Sequence, residues 1–217
     1  MAMTPLNPSP IDTKLVAGEL CLDFANTAEW HASATPIELL KTYGDLVTWS
    51  RRVGLVDAPA AGRLLREARR RPDDAAAVLK RAITVREAIY GLVLAFLQLR
   101  PPAASVLEGF NRELRTAFQH VQVVPGPQGL TWNWDFGNRD LEAMLWPIIR
   151  SAAELLTSER QARIGQCADD RGCGWLFLDT TKNRSRRWCA MEDCGNRAKA
   201  RRHYQRSRAP GARSRKA

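Results

Sequence analysis

Apolar residues recur at helical spacing along most of the chain as far as Leu156, and the pattern changes after it. The clearest helix runs from about Asp74 to Leu99, where Leu79, Ala82, Ile83, Ile89, Val93, Phe96 and Leu97 follow a helical period. Asp73 or Asp74 is placed to cap its start, and Arg100-Pro101-Pro102 ends it. Thr35-Pro36 predicts a further helix, proline in its first turn, reaching to about Arg52. Others are predicted over Ala58–Arg71, Ala104–Thr116 and Asp140–Leu156. The apolar, partly alternating segment Lys14–Thr27 predicts a strand or an extended entry. Val121–Val124 and Leu130–Trp134 flank the turn Pro125-Gly126-Pro127-Gln128-Gly129 and predict a β-hairpin, with Trp132 and Trp134 as a packing face. Residues 1–13, with Pro5, Pro8 and Pro10, predict a flexible leader.

Charge divides the chain differently. The whole carries +10 at pH 7. Residues 160–217 hold 16 Lys and Arg against 5 Asp and Glu, leaving 17 against 18 for the rest. A cationic end on a neutral partner predicts a polyanion-binding module, with residues 14–159 as a separate mostly helical domain. The longest apolar stretch, Ile89–Leu99, contains Gln98 and is too short for a bilayer, and no signal peptide pattern opens the chain. The expected location is cytoplasmic, nucleoid-associated when bound to DNA. In a reducing compartment paired cysteines favour metal over disulfides.

Four of the five cysteines, Cys167, Cys173, Cys189 and Cys194, lie in the order C-x5-C-x15-C-x4-C. Two pairs with a short spacer suit a tetrahedral zinc site; four thiolates also suit an iron–sulfur cluster. Cys21, alone in an apolar run, reads as core, and His203 lies too far along its helix to replace a ligand. Around the cysteines the expected order is strand Trp175–Asp179, a basic turn, a second strand starting at Arg186–Trp188, then a helix Arg197–Arg208 capped by Asn196. Arg197, Arg201 and Arg208 share one face of that helix, and Lys199, Arg202 and Arg206 nearly the opposite one. Ala200 and Tyr204 form a thin apolar stripe expected to pack on the finger. The candidate nucleic-acid contacts are Arg184, Arg186, Arg187, Arg197, Lys199, Arg201, Arg202 and Arg206. If about six neutralise phosphates, the log–log salt slope of duplex binding is roughly −5. Asp23, Asn26 and Thr27 read either as pocket residues or, the favoured reading, as a turn or cap.

Cys189 to Arg201, with Cys194-Gly195-Asn196-Arg197 at its centre, Arg186-Arg187-Trp188 before it and Trp175–Asp179 upstream, resembles the CGNR zinc finger. Residues 15–27 (LVAGELCLDFANT) resemble the opening of the ABATE domain that accompanies this finger, a family associated with transcription regulation. The spacing departs from that finger at Cys167-x5-Cys173, where Arg171-Gly172 is the expected bulge. The resemblance implies zinc on the four cysteines and a transcription-related, DNA-binding role.

The expectation is therefore an α+β protein: a mostly helical domain (14–159) with a small β-hairpin, a four-cysteine zinc finger (160–208; ββα, treble-clef-like) and a disordered basic tail (209–217). Its partner is duplex DNA, with a homodimer and a small-molecule effector of the N-terminal domain as further candidates. An RNA- or protein-interaction zinc module is the alternative. No nucleophile or phosphate-loop motif is present and four cysteines close a zinc shell, so enzymatic activity is not expected. Loss of the ion is expected to unfold the finger and leave 14–159 helical.

Overall fold

The long amphipathic segment forms the central helix of the protein. The computed structural model describes residues 14–134 and 140–208; the expected leader 1–13 and tail 209–217 lie outside the described residues. In chain order the elements are α1 (Leu20–Ala25), β1 (Ala28–Glu29), β2 (Ile37–Glu38), α2 (Tyr43–Arg52), α3 (Ala58–Arg70), α4 (Pro72–Leu97), α5 (Ala104–Phe118), β3 (Val121–Gly126), β4 (Gly129–Trp134), α6 (Leu145–Leu156), β5 (Ile164–Gln166), β6 (Leu176–Leu178) and α7 (Asn196–Arg208). The strands form three antiparallel pairs, β1–β2, β3–β4 and β5–β6. α4 presents Val78, Ala82, Val85, Ile89 and Val93 to the core, where α1 and α6 pack on it. Trp49, Trp146, Phe24 and Met144 fill the centre. The architecture is α+β, as expected.

Several expected boundaries move, each for a local reason. Lys14–Thr27 is not a strand: Cys21, Leu22, Phe24 and Ala25 are buried at helical spacing in α1. The helix expected from Thr35-Pro36 starts instead at Tyr43. There Thr42 and Asp45 make a capping box, with Asp45 N–H donating to Thr42 Oγ1 (3.1 Å) and Thr42 N–H to Asp45 Oδ2 (2.8 Å). Ile37–Glu38 pairs with Ala28–Glu29. Helix α4 begins at Pro72, so Asp73 and Asp74 occupy its first turn rather than its cap. Helix α6 begins at Leu145, after turns in which Leu141 O accepts the Tyr43 hydroxyl.

Arg186–Trp188 forms no strand. The partner of β6 lies upstream, with Ile164 opposite Leu178 and Gln166 opposite Leu176. On its other side Leu178 N–H bonds to Ala17 O (2.7 Å), so the N-terminal segment already occupies the place expected for Arg186–Trp188. The Arg186 side chain closes that region, donating to the carbonyls of Val16 (2.7 Å), Leu178 (3.3 Å) and Trp188 (3.1 Å) and also to Cys189 O.

Strand β6 joins the two halves. Leu176 and Leu178 point into the main core with Leu22, Ile89 and Ile164, while Phe177, on the opposite face, packs among the four cysteines. Asn26, fully buried, clamps this strand through both its polar atoms. Its Oδ1 accepts Leu176 N–H (2.8 Å) and its Nδ2 donates to Leu176 O (2.9 Å). Trp175 Nε1 donates to Ala28 O (2.9 Å). Thr27 Oγ1 bonds Phe24 O and Asp23 accepts Ala17 N–H, so these three polar residues stitch the chain rather than line a pocket.

Candidate metal centre and basic surface

Cys167 leaves β5 and Cys173 leads into β6, so the first pair sits on the knuckle between the two strands. Cys189 and Cys194 flank a tight turn that ends in a π-helical stretch, Met191–Gly195, and runs into α7. The four Sγ atoms lie within 4.8 Å of one another, and all four residues are buried. Cys173–Cys189 is 3.7 Å and Cys189–Cys194 is 3.6 Å. A tetrahedron with metal–sulfur bonds of about 2.3 Å has an edge of about 3.8 Å, so the donors have the size and chemistry of a thiolate zinc site. Cys21 is buried in the main core away from this group, and His203 lies exposed on α7.

The longer knuckle keeps this geometry because it docks on the N-terminal half. Gly172 O accepts Ala32 N–H (3.1 Å) and Cys173 O accepts His31 N–H (3.0 Å). Gly172 (φ 90°) and Gly174 (φ 69°) are both left-handed, and a Cβ would meet Ser33 Cα at 2.8 Å or Ala32 N at 2.5 Å. Only glycine fits at either position. Arg171 is exposed on this knuckle, with its guanidinium over Trp30 at 5.0 Å. Trp30 itself is held at φ 53°, a conformation bulky residues rarely adopt, with Arg197 also over its ring at 5.4 Å.

Crowding four sulfurs raises the proton affinity of three. The Cys173 and Cys189 thiols are pushed up chiefly by the hydrogen bonds they share with Cys167, and the Cys194 thiol chiefly by burial. The Cys167 thiol is pulled down by hydrogen bonds from Cys173 and Cys189. A divalent cation bound here would take the place of the protons that these sulfurs otherwise hold.

The surrounding charge is arranged for such a centre. Arg197 Nη2 donates to Cys194 Sγ (2.8 Å) and to Asp169 Oδ2 (3.2 Å). Asp169 is buried; burial alone would raise its carboxyl, but the Arg171 backbone N–H, Cys194 and Arg197 outweigh this and bring it down to about 2. Arg201 pairs with Asp169 at 3.7 Å and with Asp170. Arg197→Ala is therefore expected to weaken metal affinity about 10–100-fold, read by competition with a chromogenic chelator, because it removes the side-chain cation that touches the sulfur and one of the partners of buried Asp169. Arg197→Lys, which keeps the charge but loses the fork, should fall between.

The eight basic residues singled out in the sequence divide by surroundings. Arg186, Arg197 and Arg201 are half-buried and engaged by the carbonyls and carboxylates named above. Arg184, Arg187, Lys199, Arg202 and Arg206 are exposed and form no ion pair among the described residues. Arg187 and Arg202 converge on the Trp188 ring, at 5.3 and 5.9 Å. One face of α7 thus faces the knuckle carboxylates and the other presents Lys199, Arg202 and Arg206. Ala200 and Tyr204 do not pack on the finger: both are exposed, Tyr204 at 54%. Sequence reasoning missed Asp169, Asp170 and the clamping role of Asn26. Two adjacent acids in a segment with only 5 Asp and Glu were the available signal for the first two.

A four-cysteine centre set beside a basic helix, on a helical domain, has the make-up of a zinc-finger protein. The family comparison agrees. Residues 18–159 match the ABATE family, described as "Putative stress-induced transcription regulator", and residues 163–207 match the CGNR zinc finger. The chain belongs to the ABATE family and carries a CGNR finger. A comparison with curated proteins gave no match. No helix among the described residues is long and apolar enough to cross a membrane.

Proposed function

We propose that the chain is a zinc-dependent DNA-binding transcription regulator. Zinc on Cys167, Cys173, Cys189 and Cys194 fixes α7 against the β5–β6 knuckle, and the outer face of that helix meets duplex phosphates. The observation that carries this reading is the split among the cations. Five side chains are exposed and without an ion pair among the described residues, Arg184, Arg187, Lys199, Arg202 and Arg206, and two of them, Arg187 and Arg202, meet over Trp188 next to Cys189. Arg197 and Arg201 serve the centre itself.

A titration of zinc-loaded protein with duplex DNA at several salt concentrations tests it. Five phosphate contacts give a log–log slope of about −4.5. Arg187→Gln and Arg202→Gln should each make the slope shallower by about 0.9, whereas a slope near zero would defeat the reading. RNA and an acidic protein at matched salt separate the alternative of an RNA- or protein-interaction module. Equal or tighter binding to either favours that alternative.

For the N-terminal domain we propose an effector role. A groove of ≈ 430 Å³ between α4 and α5 is lined by Ile83, Ala88, Val106 and Phe110, with Arg112 and Glu87 among its polar walls. Glu87 bonds His31 Nε2 (3.0 Å), and the His31 backbone bonds the Cys173 carbonyl, so a change at the groove has a short physical route to the finger.

A further inference from the structure

Hairpin β3–β4 is the least charged segment of a charged protein. Residues 121–134 contain no Asp, Glu, Lys or Arg, in a chain where those residues make up 26%. The pairing sets Val121 opposite Trp134, Val123 opposite Trp132 and Pro125 opposite Leu130, so all six share one face. The other face carries Gln122, Val124, Thr131 and Asn133. Trp134 packs on the main core, but exposure grows toward the tip, with Trp132 at 44%, Val123 at 53% and Leu130 at 79%. A two-stranded hairpin is marginal in water unless its apolar face is covered.

Among the described residues its edges are open as well. Among the described residues the backbone of Gly129–Trp134 bonds only within the hairpin. Pro125 removes a donor from β3, whereas β4 has no proline and no charge to guard it. Arg150, whose guanidinium lies 4.8 Å from the Trp132 ring, is itself paired with Glu154 at 2.7 Å.

We propose that this hairpin is a self-association surface: β4 pairs antiparallel with β4 of a second copy about a two-fold axis, making a four-stranded sheet with a continuous apolar face. Charge selects the occupant. A nucleic acid finds no cation on the hairpin. A second copy meets a neutral surface on a half of the chain that is close to neutral, while the two cationic ends, with 16 Lys and Arg each, stay free to point elsewhere. The inference deepens the proposed function, since one small finger reads little sequence and two linked copies read more.

Sedimentation velocity of the full zinc-loaded chain, without DNA, across the micromolar range tests it. A reversible monomer–dimer equilibrium is expected. Val123→Lys together with Leu130→Lys should weaken it by about 100-fold or more with an unchanged circular dichroism spectrum, since both side chains are exposed. Amide exchange in Gly129–Trp134, and not in Val121–Gly126, should slow as concentration rises. A chain that stays monomeric throughout, or a dimer indifferent to both lysines, overturns the proposal. So does co-sedimentation with phosphatidylcholine vesicles that the same lysines abolish, which would give the face to a lipid surface instead. Because no DNA is present, failure here leaves the DNA reading standing, and failure of DNA binding leaves this one.

Discussion

Cys189→Ser protein is expected to emerge without zinc and to melt about 10–20 °C below the parent. Structural zinc contributes about 10–16 kcal/mol of apparent binding energy in small fingers. Only part of that appears as lost stability here, because the helical core persists; about 5 kcal/mol, at about 2–4 °C per kcal/mol for a chain of this size, gives the stated shift. The loss should not stop at the finger. Leu176 and Leu178 are in the same core as Leu22 and Ile89, so a slackened β6 loosens α1 and its neighbours. The expectation drawn from the sequence leaves residues 14–159 helical and the damage confined to the finger, and amide exchange in α1 with and without a chelator decides between the two. The pH dependence has a definite sign. The Cys173, Cys189 and Cys194 thiols hold protons more tightly than usual when no cation is bound. Protons and metal compete for the same sulfurs, so zinc affinity and the stability it brings rise with pH and fall on acidification. Measuring free zinc with a fluorescent indicator as pH is lowered checks it; retention independent of pH would contradict the thiolate ligation.

Asn26→Ala should cost about 2–4 kcal/mol, on the scale of emptying a large core position. The side chain satisfies both the N–H and the carbonyl of Leu176 in a place without solvent. Removing it leaves two buried backbone groups unpaired, at about 1–3 kcal/mol each, with partial relaxation. Asn26→Asp is no rescue: a carboxylate accepts the N–H but has nothing to donate to Leu176 O, and it buries a charge. Chemical denaturation gives the magnitude, and zinc affinity of the variant gives the coupling. If the clamp positions β6 for the knuckle, affinity falls together with stability. Unchanged zinc affinity would show the two halves to be independent.

The central helices and the β3–β4 hairpin were legible because their signals are local: periodicity in α4, and β-branched and aromatic runs on either side of a Gly/Pro turn. The four cysteines were legible from spacing alone. Other features depended on competition between distant groups. Lys14–Thr27 alternates enough to resemble a strand, yet Cys21, Leu22, Phe24 and Ala25 gain more by facing the core together on a helix. Arg186–Trp188 has strand character, but Ala17 reaches the free side of Leu178 first. The basic helix was read as cationic on two sides, and nothing in its own sequence says that Asp169 and Asp170 neutralise one of them. The continuous apolar run Trp175-Leu176-Phe177-Leu178 held more than was taken from it. A strand buried on both faces needs two cores, and β6 has them.

The most direct test of a tetrathiolate centre fixing α7 on the shared strand β6 is native mass spectrometry of the purified chain, paired with amide exchange over residues 163–208. One zinc per chain is expected, lost on any single Cys→Ser change among Cys167, Cys173, Cys189 and Cys194, with protection in β6 and α7 lost along with it. A metal-free chain in which those same segments remain fully protected would contradict the account.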